Sequence, residues 1–304
     1  MKKVLITGTN GFIGGSLAKE LIKRKVTVYG VDCGLPAATE LQNSPYFQPV
    51  IADFTKYKDL ASLITDRDIE VFYHFAWAGG FTTAIKDYHL QMQNAAFAGD
   101  ALKAAVDLKI SKFVYAGTYN QYEIENFLES SGFSPRYTCI YSTGKTAAGL
   151  ICRTLAYNLG ISYTAGLIPM PYGENNYSKQ LVNMVLDSLN HGIAPKLVQG
   201  NNLYDLVYIR DIVEAFILLG EKGKNDHEYY IGHRKLKTFR ELMNEIKDII
   251  APGIELRFGE YQDNQQIDYS KINLNALYED TGFECKADFA ESIRNTAEWV
   301  KNHL

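Results

Sequence analysis

The sequence lacks long apolar runs, blocks of like charge, internal repeats and low-complexity segments. Of its 304 residues 46% are hydrophobic, yet no apolar run approaches the ~20 residues that a bilayer span needs. A chain of this length and composition can bury a sizeable core in one large or two unequal domains. We therefore expect a globular protein with no membrane partner.

Cysteines and basic residues form no recognisable pattern either. The four cysteines show no CxxC spacing, which argues against a disulfide framework or a zinc site and favours a reducing compartment. The formal net charge is −4, with no basic stripe for a nucleic-acid backbone. The amino end, MKKVLITG, has no small-residue cleavage site of a signal peptide. These features predict a cytoplasmic location and no nucleic-acid partner.

The six histidines form no metal-ligand pattern, so we expect no metal. His74 lies within an apolar run and is more typical of a hydrogen-bonded core histidine than of a ligand.

Short β-branched runs alternate with longer amphipathic stretches along the chain. The runs that read as strands are KKVLITG, VTVYGVD, YFQPVIAD, VFYHFAW, KFVYAGT and ISYTAGLI. Most are apolar on both faces, and helical stretches such as SLAKELIKRK and AFAGDALKAAVDLK separate them. This order predicts an α/β fold with a Rossmann-type, doubly wound parallel sheet.

A glycine-rich turn follows the first predicted strand. In TGTNGFIG, Gly8, Gly11 and Gly14 recur at every third position between a strand and a helix. Glycines there let backbone N–H groups and the positive end of the helix approach a pyrophosphate, although a tight turn alone would use the same residues.

Asp32 ends the second predicted strand, eighteen residues after Gly14. A carboxylate at that point can accept hydrogen bonds from both hydroxyls of an adenosine ribose. It would also repel a 2′-phosphate, and no Lys or Arg follows it before Lys56. We therefore expect NAD(H) as the preferred cofactor and NADP(H) as the alternative.

The rhythm of strands and helices changes after Pro169, where the chain becomes turn-rich. We predict a dinucleotide-binding Rossmann domain over residues 1–168, rejoined by 204–232. Residues 169–203 and 233–304 would form a smaller mixed α/β lobe that binds the substrate.

Tyr141 and Lys145, in YSTGK, stand four residues apart on a predicted helix and so share one face. An ammonium beside a phenol favours the phenolate, which would lower the tyrosine pKa toward neutrality. Such a tyrosine can exchange a proton with an alcohol or a carbonyl. The same spacing also occurs on helices with no chemical role, so the pair does not decide the matter alone.

Together these motifs resemble the extended short-chain dehydrogenases/reductases that act on nucleotide sugars, the NAD-dependent epimerase/dehydratase type. TGTNGFIG resembles that family's TGxxGxxG, Asp32 its ribose-binding acid and YSTGK its YxxxK. The resemblance implies a catalytic triad in which Thr118 hydrogen-bonds the reacting oxygen, Tyr141 is the acid or base, and Lys145 orients the ribose and tunes Tyr141.

The resemblance also implies binding residues. At the cofactor it places the triad's Tyr141 and Lys145 together with Gly8, Asn10, Gly11, Phe12, Ile13, Gly14, Asp32, Asp53, Phe54, Phe75, Ala76, Trp77, Asn94, Ala116 and Gly117. At the substrate it places Thr118, Asn120, Gln121, Tyr172, Ser178 and Tyr204. Taken singly, Asp53 and Asn94 fit capping or core positions equally well.

One departure from the family concerns the cation that would hold a sugar-linked diphosphate. Tyr204 stands where the family often has an arginine, directly before Asp205. Lys179 and Arg210 are the candidates left, and both are also typical of a solvated face.

The resemblance covers more than one reaction. The 4,6-dehydratases carry an Asp-Glu pair directly after the catalytic threonine, whereas Tyr119 and Asn120 follow Thr118 here. The segments NQYE, AAGLICRTLA, YDLVYIRDIVEAF and LGEKG look most like the branch that reduces nucleotide-linked 4-keto-6-deoxy sugars by hydride transfer at C4.

Two alternatives remain open at this point: a C4 epimerase with tightly bound NAD, and a non-catalytic NAD(P)-binding sensor, which would usually lack the tyrosine or the lysine. Relatives often form dimers through the two helices beside the active site, so we expect a homodimer.

Overall fold

The computed structural model describes residues 1–79, 83–129, 133–262 and 267–304. At its centre lies a seven-stranded sheet in which all neighbouring strands are parallel. In spatial order its strands are β11 (His227–Tyr230), β6 (Ser162–Ile168), β5 (Lys112–Thr118), β4 (Val71–His74), β1 (Lys3–Thr7), β2 (Thr27–Asp32) and β3 (Phe47–Ile51). The predicted Rossmann-type α/β fold is confirmed, and all six runs read as strands are strands of this sheet.

The strand order fixes where a ligand can enter. From β1 the chain builds outward through β2 and β3, and then returns to the other side of β1 with β4. A crevice forms where the direction of winding reverses, at the carboxyl ends of β1 and β4.

Helices cover both faces of the sheet. They are α1 (Phe12–Lys23), α2 (Thr39–Gln42), α3 (Leu60–Leu63), α4 (Tyr88–Asp107), α5 (Gln121–Glu129), α6 (Thr138–Leu159), α7 (Leu181–Asn190), α8 (Ile209–Lys222), α9 (Phe239–Ile250), α10 (Ala276–Thr281) and α11 (Phe289–His303). Helices α4 and α6 pack together on one face, and α1 and α8 pack on the other. Among the described helices, none is long and apolar enough to cross a membrane.

Local chemistry sets several helix ends. The Asp87 carboxylate accepts a hydrogen bond from the Leu90 N–H at the start of α4, and Thr238 and Glu241 form a capping box at the start of α9. Helix α6 ends at Gly160, whose φ of 72° suits a glycine.

In the part of the chain that the structure describes, three strand pairs lie outside the large sheet: β7 (Met170–Tyr172) with β10 (Leu206–Tyr208), β8 (Lys196–Val198) with β13 (Arg257–Tyr261), and β9 (Leu203–Tyr204) with β12 (Lys237–Thr238). Within residues 204–232, predicted to rejoin the first domain, lie β10 and α8. Strand β10 pairs with β7, and it is β11 that returns to the large sheet. The division of the chain into a cofactor domain and a substrate lobe stays a prediction.

Candidate active site

The glycine turn between β1 and α1 is packed against its own backbone. A Cβ on Gly14 would lie 2.3 Å from the Gly8 carbonyl oxygen, and Gly8 itself has a φ of 80°. The every-third spacing is therefore a requirement of the turn. The turn also exposes a helix end, because no described side chain caps α1 at Gly11. Its first N–H groups remain available to an anion.

A cavity of about 260 Å³ opens beside this turn, at the carboxyl ends of the central strands. Many of the residues predicted from sequence line it: Gly8, Gly11, Phe12, Ile13, Gly14, Phe75, Trp77, Ala116, Gly117, Thr118, Tyr141, Lys145 and Ser178. Sequence reasoning missed Ile168, Pro169, Pro171, Asn176 and Gln180. No Asp or Glu is among these lining residues in the described part of the chain.

The three predicted catalytic side chains meet in this cavity. Thr118 ends β5, and its N–H donates to the Gln121 side-chain oxygen at 3.0 Å. The Tyr141 hydroxyl on α6 is hydrogen-bonded to the Thr118 side chain. The Lys145 ammonium, one turn further along α6, donates to the Ala116 carbonyl oxygen at 2.9 Å. Strand β5 and helix α6 thus bring together a hydroxyl, a phenol and an ammonium.

The titration of this group differs from the sequence prediction. Burial raises the pKa of Tyr141 above its ordinary value, and its hydrogen bond with Thr118 opposes that rise. Burial also lowers the pKa of Lys145 to about 7. The expectation that Lys145 lowers the tyrosine pKa is wrong for this structure because desolvation dominates both groups. At neutral pH Tyr141 is therefore a protonated phenol.

Trp77 and Asn94 have distinct positions. The Trp77 ring lies over the Lys145 ammonium, with 3.9 Å between the nitrogen and the ring centroid. Asn94 is buried in α4, where its side chain accepts from the Ala78 N–H at 3.0 Å and donates to the Ala78 carbonyl at 2.9 Å. Asn94 thus fixes the segment after β4 and does not line the cavity.

Asp32 lies at the end of β2, as predicted. Its two carboxylate oxygens accept hydrogen bonds from the backbone N–H groups of Asn10 and Cys33, each at 2.8 Å. A carboxylate offers about four lone pairs, so Asp32, which is partly exposed, retains acceptor capacity.

Three other predicted cofactor residues, Asp53, Phe54 and Ala76, contact nearby residues of the protein. The Asp53 carboxylate accepts from the Thr55 N–H at 2.8 Å and the Thr55 hydroxyl at 2.6 Å, and these bonds lower its pKa. Phe54 stacks on Phe97 with 5.5 Å between ring centroids. Ala76 packs closely on the glycine turn, since a Cβ on Gly8 would lie 2.9 Å from its nitrogen. None of the three lines the cavity.

The predicted substrate residues fall into two groups. Ser178 lines the cavity and donates to Asn176 at 2.6 Å. Asn120 lines a neighbouring cavity of about 320 Å³ together with Lys179. The two cavities share Pro169, Pro171 and Gln180, so they are contiguous.

Three other predicted substrate residues, Gln121, Tyr172 and Tyr204, have side chains that contact neighbouring residues of the protein and do not line the two cavities. Gln121 is buried and holds the Thr118 N–H. The buried Tyr172 hydroxyl is 2.7 Å from the Ser292 hydroxyl, and the Tyr204 ring packs on Phe239 with 4.9 Å between centroids. The structure brings neither Tyr172 nor Tyr204 to the two cavities.

The two candidate diphosphate-binding cations, Arg210 and Lys179, line different cavities. Arg210 lies over the Tyr208 ring, at 5.5 Å from its centroid, in a cleft bordered by α1. Lys179 lines the cavity next to the triad. Lys179 is thus the better placed of the two for an anionic part of a substrate.

His74 has the core position expected of it. Its ring nitrogen is 2.9 Å from the Thr7 hydroxyl, and burial lowers its pKa to about 3. Within residues that the structure describes, no three His, Cys, Asp or Glu side chains form a group able to hold a metal ion.

Comparisons with known proteins agree with this architecture. The model of the NAD dependent epimerase/dehydratase family matches residues 4–232. The chain is 24% identical to CDP-abequose synthase from Yersinia pseudotuberculosis, covering 90% of this chain and 94% of that protein. It is also 24% identical to an Arabidopsis thaliana trifunctional UDP-glucose 4,6-dehydratase/UDP-4-keto-6-deoxy-D-glucose 3,5-epimerase/UDP-4-keto-L-rhamnose-reductase. That match covers 98% of this chain but only 47% of the plant protein.

Among solved structures, the UDP-glucuronic acid 4-epimerase from Bacillus cereus in complex with NAD superposes with a TM-score of 0.78. The match covers 99% of both chains at 19% identity. At that identity the likeness concerns the fold.

Proposed function

Because the chain belongs to the NAD-dependent epimerase/dehydratase family, we propose that it reduces the C4 carbonyl of a nucleotide-linked 4-keto-6-deoxy sugar, with NADH as reductant. The observation that carries the proposal is one cavity that, among the described residues, is lined by Thr118, Tyr141 and Lys145 and by no carboxylate. Elimination of water would need an additional acid or base there. Hydride transfer to a carbonyl needs a single proton donor and no such additional group.

The residues present fit a nicotinamide dinucleotide. The uncapped start of α1 suits a pyrophosphate, since its N–H groups and dipole favour an anion. Asp32 suits a ribose diol and opposes a 2′-phosphate, so NAD(H) is preferred over NADP(H). When bound, this cofactor supplies or accepts the hydride.

Side chains of the protein would donate a proton and a hydrogen bond to the oxygen at C4. Tyr141 is a buried, protonated phenol and can donate its proton to that oxygen as negative charge develops. The Thr118 hydroxyl would hold that oxygen beside Tyr141, and Lys145 would orient the ribose of the cofactor, as the resemblance implies. An epimerase would use the same Tyr141 first as a base and then as an acid, so the deuterium-transfer experiment below has to separate the two reactions.

The second cavity would take the remainder of the substrate. Relatives named for CDP- and UDP-linked sugars suggest a nucleoside diphosphate group. Lys179 and Asn120 line that cavity and offer a cation and an amide to a phosphate and to sugar hydroxyls. Tyr172 and Tyr204 are left out of this proposal because of their packing positions.

The decisive experiment is deuterium transfer from C4-deuterated NADH to a 4-keto-6-deoxy nucleotide sugar. A reductase consumes one NADH for each product and leaves deuterium at C4 of the sugar. Interconversion of two 4-hydroxy sugars without added cofactor, by protein that retains NAD through gel filtration, would instead identify the C4 epimerase.

We also propose a cytoplasmic homodimer. All four cysteines are free thiols, as suits a reducing compartment. Helices α4 and α6 expose Met92, Leu150, Ile151 and Tyr157, an apolar surface that a second copy would cover. Sedimentation equilibrium of the protein and of Leu150→Arg tests this, with Leu128→Arg on α5 as the control at another exposed leucine. A monomeric wild type would contradict the dimer.

A further inference from the structure

The Lys145 ammonium has few partners for a buried charge. Only 5% of the residue is exposed, and its nitrogen donates to one carbonyl, that of Ala116. No carboxylate pairs with Lys145 among the residues that the structure describes. The face of the Trp77 indole covers the nitrogen at 3.9 Å from the ring centroid, and the Tyr115 ring lies further away, at 5.3 Å. The negative face of an indole attracts a cation, and more strongly when water is excluded.

The Trp77 ring is itself held in place. Its Nε1–H donates to the Gln91 side-chain oxygen at 2.8 Å, and the Gln91 amide donates to the Ala84 carbonyl at 3.0 Å. Gly144, inside YSTGK, permits this arrangement, because a Cβ there would lie 2.9 Å from the Gln91 carbonyl oxygen. Helix α6 can therefore approach α4 closely enough to bring Lys145 under the ring.

The same ring also meets Tyr141. Their centroids are 6.0 Å apart and their planes form an angle of 82°, an edge-to-face contact. Trp77 thus touches both α6 residues of the predicted triad and is fixed to α4 through Gln91.

We propose that Trp77 is a positioning residue whose indole face holds Lys145 as an ammonium ion and sets its spacing from Tyr141. The part of this proposal that concerns turnover rests on the proposed function, whereas the contact between indole and ammonium stands apart from it.

The charge balance around Lys145 gives the direction of the effect. Among the described residues, the titratable groups near it are Cys152 on its own helix, Tyr115 on β5 and the neutral His74 on β4, and Tyr141 lies one turn away on α6. None is an anion at neutral pH, since burial raises the pKa of the two tyrosines and of Cys152. Burial lowers the pKa of Lys145 to about 7. If the indole is removed and Lys145 stays buried, the pKa of Lys145 should fall further, because the ammonium loses a favourable contact.

Tryptophan fluorescence tests the contact without any substrate. The sequence has two tryptophans, and Trp299 stacks on His303 with 4.9 Å between centroids. Trp299→Phe removes that second emitter and leaves Trp77 as the single tryptophan. We expect its emission to change with a midpoint below the ordinary lysine pKa of 10.5 and the change to vanish in Trp299→Phe/Lys145→Met. A flat titration, or one that survives Lys145→Met, would overturn the proposal.

A pH profile of kcat tests the consequence for turnover. Trp77→Leu keeps an apolar side chain but removes the π face, so the loss of activity at alkaline pH should begin about one pH unit lower than in the wild type. Trp77→Phe retains a ring and should keep most of the wild-type profile. Superposable profiles for Trp77→Leu and the wild type would contradict the positioning role.

A second pair of variants covers the case in which Trp77→Leu does not fold. Gln91→Met removes the acceptor that anchors the indole, and Gln93→Met makes the same change at an exposed position of α4. The profile should shift in Gln91→Met only. Equal profiles in the two variants would count against the anchor. If the enzyme is an epimerase, the fluorescence result stands unchanged, so failure of the proposed function and failure of this inference are distinguishable.

Discussion

At the scale of single residues, the state of Tyr141 is decided by burial. The residue is 6% exposed, and loss of water stabilises the neutral phenol. The hydroxyl of Thr118 is its hydrogen-bond partner. A neutral phenol beside a hydroxyl is suited to protonate an oxygen that becomes negative in the transition state.

Tyr141→Phe keeps the ring and its contact with Trp77 but removes the proton. We expect kcat to fall by about 10²–10⁴-fold, as is typical for loss of a general acid, with NADH affinity nearly unchanged. Steady-state kinetics and a fluorescence titration with NADH would measure the two quantities. Normal turnover in this variant would assign the proton transfer to another group.

Asp32→Ala tests the cofactor preference at the same scale. The substitution removes ribose hydrogen bonds and relieves repulsion of a 2′-phosphate, so the preference for NADH over NADPH should narrow by about tenfold or more. Dissociation constants for both cofactors measure this. Asp59→Ala is the matched control, because Asp59 is an exposed aspartate outside the predicted cofactor residues and should not alter the ratio. Equal affinities of the wild type for NADH and NADPH would contradict the role of Asp32 in cofactor preference.

At the scale of elements, the glycine turn combines two requirements in one segment. Its backbone is packed so closely that side chains are excluded, and it ends in an uncapped helix. Elsewhere an ion pair joins two helices, since Arg136, just before α6, pairs with the fully buried Glu123 on α5. That pair ties the segment after Thr118 to the helix that carries Tyr141.

Gly14→Ala should damage both fold and cofactor binding. The new Cβ would lie 2.3 Å from the Gly8 carbonyl oxygen, so the backbone must shift. We expect a loss of about 1–3 kcal/mol in the free energy of unfolding, as overpacking usually costs, and weaker NADH binding. Gly34→Ala, where no atom lies within 4 Å, is the control and should be nearly neutral. Denaturant unfolding and NADH titration of the two variants provide the measurement.

The elements were largely predictable because the sheet is buried on both faces. Strands such as β5 and β6 are apolar runs bounded by turns, which is the pattern that a covered parallel strand requires. Strand β11, HEYY, was missed because only its two tyrosines are buried and it lies at the sheet edge.

The site was predictable where a short motif fixes it, as in the glycine turn and YSTGK. Contacts between distant segments were not. Nothing in the local sequence shows that Trp77 covers Lys145, or that Tyr172 turns toward Ser292. The pKa of Tyr141 was misjudged because spacing reveals a neighbouring charge but does not reveal how completely water is removed.

At the scale of the whole molecule, buried lysines couple the stability of the fold to pH. The pKa of Lys145 is lowered from 10.5 to about 7 by burial. Between these values the unfolded chain binds a proton that the folded chain lacks. The contribution of Lys145 therefore makes the free energy of unfolding rise as pH increases through that range.

Lys145→Met should remove this dependence. Urea unfolding at several pH values above about 7 should show a shallower rise in the variant than in the wild type. Lys112→Met is the control, because the pKa of Lys112 falls only to about 8 and its effect should be confined to a narrower range. Parallel curves for the wild type and Lys145→Met would show that Lys145 is not buried in this way.

Because β11 returns to the large sheet, the chain cannot be cut after β6 without exposing an edge of that sheet. Strand β11 covers the edge of β6, a seven-residue strand whose backbone would otherwise be open to pairing. The segment between them includes α8, which packs with α1 on one face of the large sheet. A chain cut after Ile168 would present β6 as an unprotected edge and be prone to aggregate. Exchange of this segment with that of another protein would therefore remove α8 from one face of the sheet, even if β11 were kept.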